Sequence, residues 1–301
     1  MVRWFNGRLL DESSAHHQLF VKQRGGDALS ALMPEDGSSD DDLSVDEAGL
    51  TFGASVFTTL RVYGGSLDHP LTQWQAHCDR LAASVRFFEW AAPDWGALRK
   101  GCDRLKMNYP VLRIALFPDG REWIVGRSLP KNLSQKAENG VTAWLSPPIY
   151  ARSLPAHKTG NYLACWLART KAQSRGAQEA ILTNRQGDWL ETATGNLWGW
   201  DGKQWWTPSN DRCLSGIMSA YLRKILAAAG QPVSLQSWPC NQPLQFEAIA
   251  YSNCVVGLVP IHTILSGDTR LEFNPKHERI KALQSQIRPP TQSDRDKHSR
   301  S

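Results

Sequence analysis

In Pro155-Ala156-His157-Lys158-Thr159-Gly160-Asn161-Tyr162 a lysine sits among small and aromatic residues, just ahead of a segment with helical spacing. Most lysines are solvated surface groups, and this neighbourhood suits one poorly. A lysine that forms a Schiff base must reach its neutral amine from an unperturbed pKa of about 10.4. Partial burial near other cations lowers that value, and His157 and Arg152 are the nearby candidates. Taken alone, such a lysine is more often a surface group than a catalytic one.

Two further stretches carry weak signals of their own. Leu190-Glu191-Thr192-Ala193-Thr194-Gly195-Asn196-Leu197 sets one acid in an otherwise apolar or small-residue strand. A strand acid pointing to water is the ordinary case. A carboxylate there could instead keep a pyridinium nitrogen protonated, which makes such a ring an electron sink. Leu214-Ser215-Gly216-Ile217-Met218-Ser219 opens a helical pattern that stops at Gly230, with Ser215 as the expected cap. Free N–H groups at a helix start, with the helix dipole, suit a phosphate, although an ordinary capped helix is the commoner meaning.

The order and spacing of the three are more specific. A lysine before Asn-Tyr, an acid about thirty residues later in E-x-x-x-x-N-L, and a Gly-Ile helix start about twenty-five beyond resemble the class IV aminotransferase signature. Upstream, Gly49-Leu50-Thr51-Phe52-Gly53 through Val62 resembles that family's opening motif, and His77-Cys78-Asp79-Arg80-Leu81 its H-x-x-R-L segment. The likeness covers most of Arg3–Ile264. It implies an α+β, two-domain, D-amino-acid aminotransferase-like (fold-type IV) enzyme with pyridoxal 5'-phosphate between its domains, acting as a homodimer. By the same resemblance Lys158 carries the cofactor and shuttles the proton, and Glu191 faces the pyridine nitrogen. Arg80 and the amides of Ile217 and Met218 hold the phosphate, with the Asn253 region closing that pocket.

Three segments resemble 4-amino-4-deoxychorismate lyases more than transaminases: Phe57-Thr58-Thr59, Gly216-Ile217-Met218, and Ser252-Asn253-Cys254-Val255-Val256-Gly257-Leu258-Val259-Pro260-Ile261. They imply elimination of pyruvate to leave 4-aminobenzoate, with Thr58 or Thr59 passing a proton or orienting a water. A substrate with two carboxylates calls for arginines in the pocket, and Arg61, Arg113 and Arg127 are open candidates. Branched-chain or D-amino-acid transamination is the alternative, favoured by Tyr162, and a non-catalytic cofactor-binding relative is a third. Retention of both Lys158 and Glu191 argues against the last. Two departures from the family stand out: the insert Asp11–Ser44 is longer than the usual opening, and Arg121–Arg127 lacks a Gly-rich arginine loop.

The bulk properties agree with such an enzyme. A chain of 301 residues, 41% apolar and 21% charged, has an ordinary globular composition. No apolar run approaches the ~18–20 residues of a membrane helix, and the N-terminus has no apolar signal core, so a cytoplasmic protein is expected. A charge of +5 with scattered basic residues gives no nucleic-acid footprint. The six cysteines form no C-x-x-C pair, so no metal site or disulfide framework is expected, and packed thiols are. Thirteen tryptophans are read as core bulk.

The pattern divides the chain into a 1–127 N-terminal part, a 128–140 linker, a 141–287 cofactor-binding part and a polar tail, 288–301. Within the first part, Asn6-Gly7 signals a hairpin, and the seven acidic residues from Glu35 to Glu47 a solvated loop. A strand is expected through Val56–Tyr63, a helix over Thr72–Phe88, and a hairpin of Leu112–Leu116 with Glu122–Val125. Beyond the linker come strands at Val141–Leu145, Glu179–Thr183 and Trp189–Trp200, the last turning at Asp201-Gly202. Helices are expected over Asn161–Arg175 and from Ser215 to Gly230.

Overall fold

The computed structural model describes residues 3–5, 8–10, 48–209 and 211–288. The Asn6-Gly7 turn, the whole of the 11–44 insert, the acidic run through Glu47, and the tail after Arg288 therefore lie outside the described residues.

Val-Phe-Thr-Thr-Leu-Arg at Val56–Arg61 is rich in the β-branched and aromatic residues that suit a pleated, half-buried surface. It forms β3, at the end of an antiparallel sheet ordered β2-β1-β5-β4-β3. The other strands are β1 Arg3–Phe5, β2 Arg8–Leu10, β4 Val111–Leu116 and β5 Glu122–Arg127. Side chains alternate along β3. Val56 and Leu60 enter a core with Leu81 and Val85 of the Trp74–Phe87 helix, and Thr58 shares that face. Phe57 and Thr59 turn the other way.

Some elements differ from expectation. Ala48–Thr51, ahead of β3, is a short helix that was not anticipated. The Trp95–Leu105 helix was not anticipated, although its signals are local. Asp94 caps it by accepting from Gly96 N at 2.8 Å and Ala97 N at 3.0 Å, and Leu98, Cys102 and Leu105 bury at helical spacing. The 128–140 stretch contains a helix, Leu133–Asn139, which buries no side chain.

The second sheet has nine strands, ordered β11-β10-β9-β12-β13-β6-β7-β8, with β14 beside β13. Its strands are β6 Val141–Leu145, β7 Glu179–Thr183, β8 Trp189–Thr192, β9 Asn196–Trp200, β10 Trp205–Thr207, β11 Ser234–Leu235, β12 Ala248–Asn253, β13 Gly257–Ser266 and β14 Thr269–Glu272. The expected single strand Trp189–Trp200 is broken at Ala193-Thr194-Gly195, where Thr192 N donates to Gly195 O at 2.7 Å. Gly195 is pressed onto β12: a Cβ there would lie 2.3 Å from the Ser252 carbonyl oxygen. No side chain fits, and the break separates Glu191 on β8 from Asn196 on β9.

Helices Leu163–Gln173, Ile217–Ala228 and Glu278–Ser285 pack on this sheet, the last unanticipated. The mixed helices and sheets are an α+β arrangement, as expected. One sheet drawn from 3–127 and one from 141–272 are what supports a proposed domain division at 128–140. Tryptophan serves as core bulk at Trp189, Trp198 and Trp238, whereas Trp166 is 60% exposed. All six cysteines are free; Cys102, Cys165 and Cys213 are buried and Cys240 is exposed. Among the described residues no helix is long and apolar enough to cross a membrane, and no His/Cys/Asp/Glu group is placed to hold a metal ion.

Candidate active site

Lys158 is set where the two sheets meet. Phe57 N donates to Lys158 O at 2.8 Å and Gly160 N to Ser55 O at 2.6 Å, so the lysine loop is stitched to the start of β3. Gly160 allows that approach, since a Cβ would meet Ser55 Oγ at 2.1 Å. His157 anchors the loop to the other helix layer, with Nδ1 3.0 Å from Ser84 Oγ and its ring stacked 4.3 Å from Phe87. Lys158 Nζ then lies 4.8 Å from the ring centroids of both Phe57 and Tyr162, and 3.4 Å from Tyr162 Oη. Tyr162 Oη is itself fixed by donating to Ala193 O at 2.9 Å.

This setting disfavours the ammonium ion. Burial, then the charges of Arg80 and Arg152, pull the Lys158 pKa down to about 7 against the opposing pull of Glu191. Of the two groups expected to help, Arg152 does and His157 does not; Arg80, distant in sequence, takes its place.

Glu191, on β8, is buried with Arg152. Arg152 Nη1 donates to Glu191 Oε1 at 3.2 Å, with both side chains under a tenth exposed. Leu214 N donates to Oε2 at 3.3 Å. Burial pushes the Glu191 carboxyl up, while Arg152, Lys158 and the Leu214 amide pull the other way. Both oxygens accept and neither donates, which is the bonding pattern of the ionised form. Arg152 also donates to the carbonyls of Leu154 and His157, so one guanidinium orders both the lysine loop and the acid. The Arg152–Glu191 pairing escaped sequence reasoning, because the two residues stand 39 positions apart with no pattern linking them.

Arg80, on the Trp74–Phe87 helix, is close enough for its charge to act on Lys158. Its Nη2 donates to Thr58 Oγ1 at 2.7 Å, its Nε is buried without a partner, and it has no carboxylate partner among the described residues. Ile217 and Met218 begin their helix after Gly216, which offers no side-chain cap, so Ser215 does not play the expected capping part. The first-turn amides of such a helix have no partner within it. The Cys254 thiol faces the Met218 amide and the Arg80 charge, both opposing the upward push of burial on its pKa. A charged donor short of an acceptor beside an uncapped helix start fits a phosphate. Lys158 and the Glu191–Arg152 pair fit an aldehyde and a ring nitrogen.

The remaining expected residues fall into different settings. The Asn253 side chain is spent on its own loop, donating to Thr194 O at 3.1 Å and accepting from Val255 N and Val256 N. It shapes the turn carrying Cys254: Oδ1 can only accept and is taken by the two backbone amides, and one of the two Nδ2 hydrogens is engaged with Thr194 O. Thr58 is fully buried, with Oγ1 2.5 Å from His77 Nδ1. Thr59 shares the opposite face with Phe57 and pairs with Arg113 across β3 and β4. The Arg113 guanidinium carbon lies 3.6 Å from the Phe57 ring centroid, and burial, then Arg127, lowers its pKa to about 10. Arg61 instead covers Tyr63 at 4.6 Å.

A family model described as amino-transferase class IV matches residues 55–264. An aminodeoxychorismate lyase of Vibrio harveyi is 23% identical over 247 residues, 75% of this chain and 89% of that one. Solved structures share the fold. A branched-chain aminotransferase from Thermoproteus uzoniensis superposes with a TM-score of 0.74 at 18% identity, covering 99% of this chain and 96% of its own. The PLP-bound form of a hypothetical aminotransferase from Mycobacterium tuberculosis gives 0.69 at 20% identity, with 87% and 96% covered.

Proposed function

This chain belongs to the class IV amino-transferases, enzymes dependent on pyridoxal 5'-phosphate, and we propose that it is a lyase within them, releasing pyruvate and 4-aminobenzoate from 4-amino-4-deoxychorismate. The observation that carries the reading is Lys158 Nζ, held between the Phe57 and Tyr162 rings with its pKa lowered to about 7. One amine can then both hold a carbonyl and move a proton near neutral pH. The choice of a lyase is supported by the Vibrio harveyi relative and by Phe57-Thr58-Thr59, Gly216-Ile217-Met218 and the Ser252–Ile261 segment.

Lys158 would bind the cofactor's aldehyde, Glu191 its ring nitrogen, and Arg80 with the Ile217 and Met218 amides its phosphate. The bound cofactor supplies an electron sink for a carbanion at the carbon that bears the substrate's nitrogen. Glu191, fixed by Arg152, would keep a proton on the ring nitrogen. Lys158 Nζ, with its lowered pKa, would be the base that takes the proton from that carbon. The ether C–O bond then breaks, the carbocycle becomes aromatic, and the proton leaves with the enol that becomes pyruvate. Arg113 is our assignment for a substrate carboxylate, because it shares the Phe57 ring with Lys158 and has no ion pair among the described residues. Thr59, on that same face, is the hydroxyl open to the departing enol; Thr58 is engaged elsewhere.

The test is a paired assay on cofactor-loaded protein. Aminodeoxychorismate should give equal amounts of pyruvate and 4-aminobenzoate with no keto acid added. The second reading, transamination, is favoured by Tyr162 beside the lysine; it expects glutamate from branched-chain amino acids or D-alanine with 2-oxoglutarate, and that outcome would replace the lyase.

A further inference from the structure

Thr58 is one of two hydroxyls expected to serve the reaction, yet its oxygen is completely enclosed and already has two neighbours. Arg80 Nη2 lies 2.7 Å away and His77 Nδ1 2.5 Å away. A guanidinium can only donate, and a threonine hydroxyl has one proton and two lone pairs. With Arg80 donating to Oγ1, the hydroxyl proton needs an acceptor, and His77 Nδ1 is the one in reach. The reverse arrangement, with Nδ1–H donating, would leave the Thr58 proton without a partner in a dry interior. The Thr58 hydroxyl satisfies both neighbours only when His77 is neutral and carries its hydrogen on Nε2. That atom is buried and has no partner, and His77 itself is fully enclosed. Burial, Arg80 and Lys158 all oppose a charge on the imidazole.

We propose that His77 is a positioning residue for the phosphate end of the site: through the Thr58 hydroxyl it fixes the guanidinium of Arg80, leaving the remaining guanidinium donors directed to an anion. This rests on the reading of Arg80 as the phosphate's partner. It takes Thr58 out of the proton-transfer step and makes it the middle member of a His77–Thr58–Arg80 tether. The tether spans β3 and the Trp74–Phe87 helix, and His77 and Arg80 stand one helical turn apart on one face of that helix. Arg80 Nε, enclosed without a partner, is the group left to be satisfied when an anion arrives.

The experiment compares full-length variants for binding of pyridoxal 5'-phosphate and of pyridoxal, which lacks only the phosphate, by spectral titration. Thr58→Val keeps the shape and removes both hydrogen bonds; His77→Phe keeps a ring and removes the acceptor. Each should weaken the phosphorylated ligand about tenfold or more, while pyridoxal affinity stays within about twofold. Thr58→Ser should restore the difference, and the double variant should be no weaker than Thr58→Val alone, because the residues act in series. Equal losses for both ligands, no loss for either, or additive losses in the double variant would overturn the tether. If His77→Phe fails to fold, the Thr58→Val and Thr58→Ser pair decides the matter unaided. A wild-type chain that binds the phosphorylated ligand no better than pyridoxal would remove the phosphate reading itself, and the tether with it.

Discussion

Lys158 is the residue at which burial, charge and chemistry converge. Its pKa of about 7 means that the neutral amine is half populated near neutrality. Capture of pyridoxal 5'-phosphate by the cofactor-free chain should therefore speed up as pH rises through about 7 and level off above it, measured by stopped-flow absorbance. Arg152→Met removes a cation near Lys158 and leaves Glu191 unpaired. Both changes favour the ammonium ion, so the midpoint should move up by about a unit or more. The same variant strands a buried carboxylate and should lower stability by about 3 kcal/mol in denaturant unfolding. A midpoint that stays put or falls would show that Arg152 is not part of the field acting on the lysine. For folding the sign is separate. The unfolded lysine binds protons more tightly than the folded one, so Lys158's contribution should favour the folded state increasingly from about pH 7 up to its ordinary value near 10.5.

Two glycines set how the site's elements approach each other, and they should respond differently to alanine. At Gly195 the added carbon would lie 2.3 Å from the Ser252 backbone carbonyl oxygen, which cannot swing away. Gly195→Ala should cost roughly 1–3 kcal/mol in thermal or denaturant unfolding. At Gly216 the obstacle is a side chain, with Asn196 Oδ1 1.8 Å from the added carbon. Asn196 can move only by giving up its 2.8 Å hydrogen bond to Leu214 O, beside the start of the Ile217–Ala228 helix. Gly216→Ala should thus cost less stability than Gly195→Ala but more cofactor affinity; the opposite ranking would mean that the helix start does not hold the phosphate. The helix at Ile217 was legible because a Gly-Ile start is followed by apolar spacing and ends at Gly230. The break at 193–195 was not, since the constraint is a close approach to β12, more than fifty residues away. Likewise motif spacing pointed to Lys158, Glu191 and Arg80, and the fold brings the last two within electrostatic reach of the lysine. The Arg152–Glu191 pair and the enclosure of Thr58 by His77 and Arg80 were not legible, because only the packed sheets bring them together.

At the scale of the molecule, the candidate site draws on both parts of the fold: Phe57 on β3 and Arg80 on the Trp74–Phe87 helix from one, the Lys158 loop, Glu191 on β8 and the helix start at Ile217 from the other. Large apolar side chains stand exposed near the lysine loop, with Leu154 46%, Leu163 60% and Trp166 60% accessible. Leu163 and Trp166 lie one helical turn apart on the same helix, exposure of this kind can mark a contact surface, and a second copy of the chain is the occupant the family resemblance implies. Sedimentation should give twice the chain mass, and Trp166→Glu should shift it toward the single chain; a wild-type monomer would contradict that pairing. The central claim is that Lys158 carries the cofactor, and reductive trapping tests it most directly. Cofactor-loaded protein is treated with borohydride, digested, and its peptides are mapped by mass spectrometry. The account predicts a phosphopyridoxyl group on Lys158 and on no other lysine. Label on a different lysine, or none after saturation with pyridoxal 5'-phosphate, would contradict it.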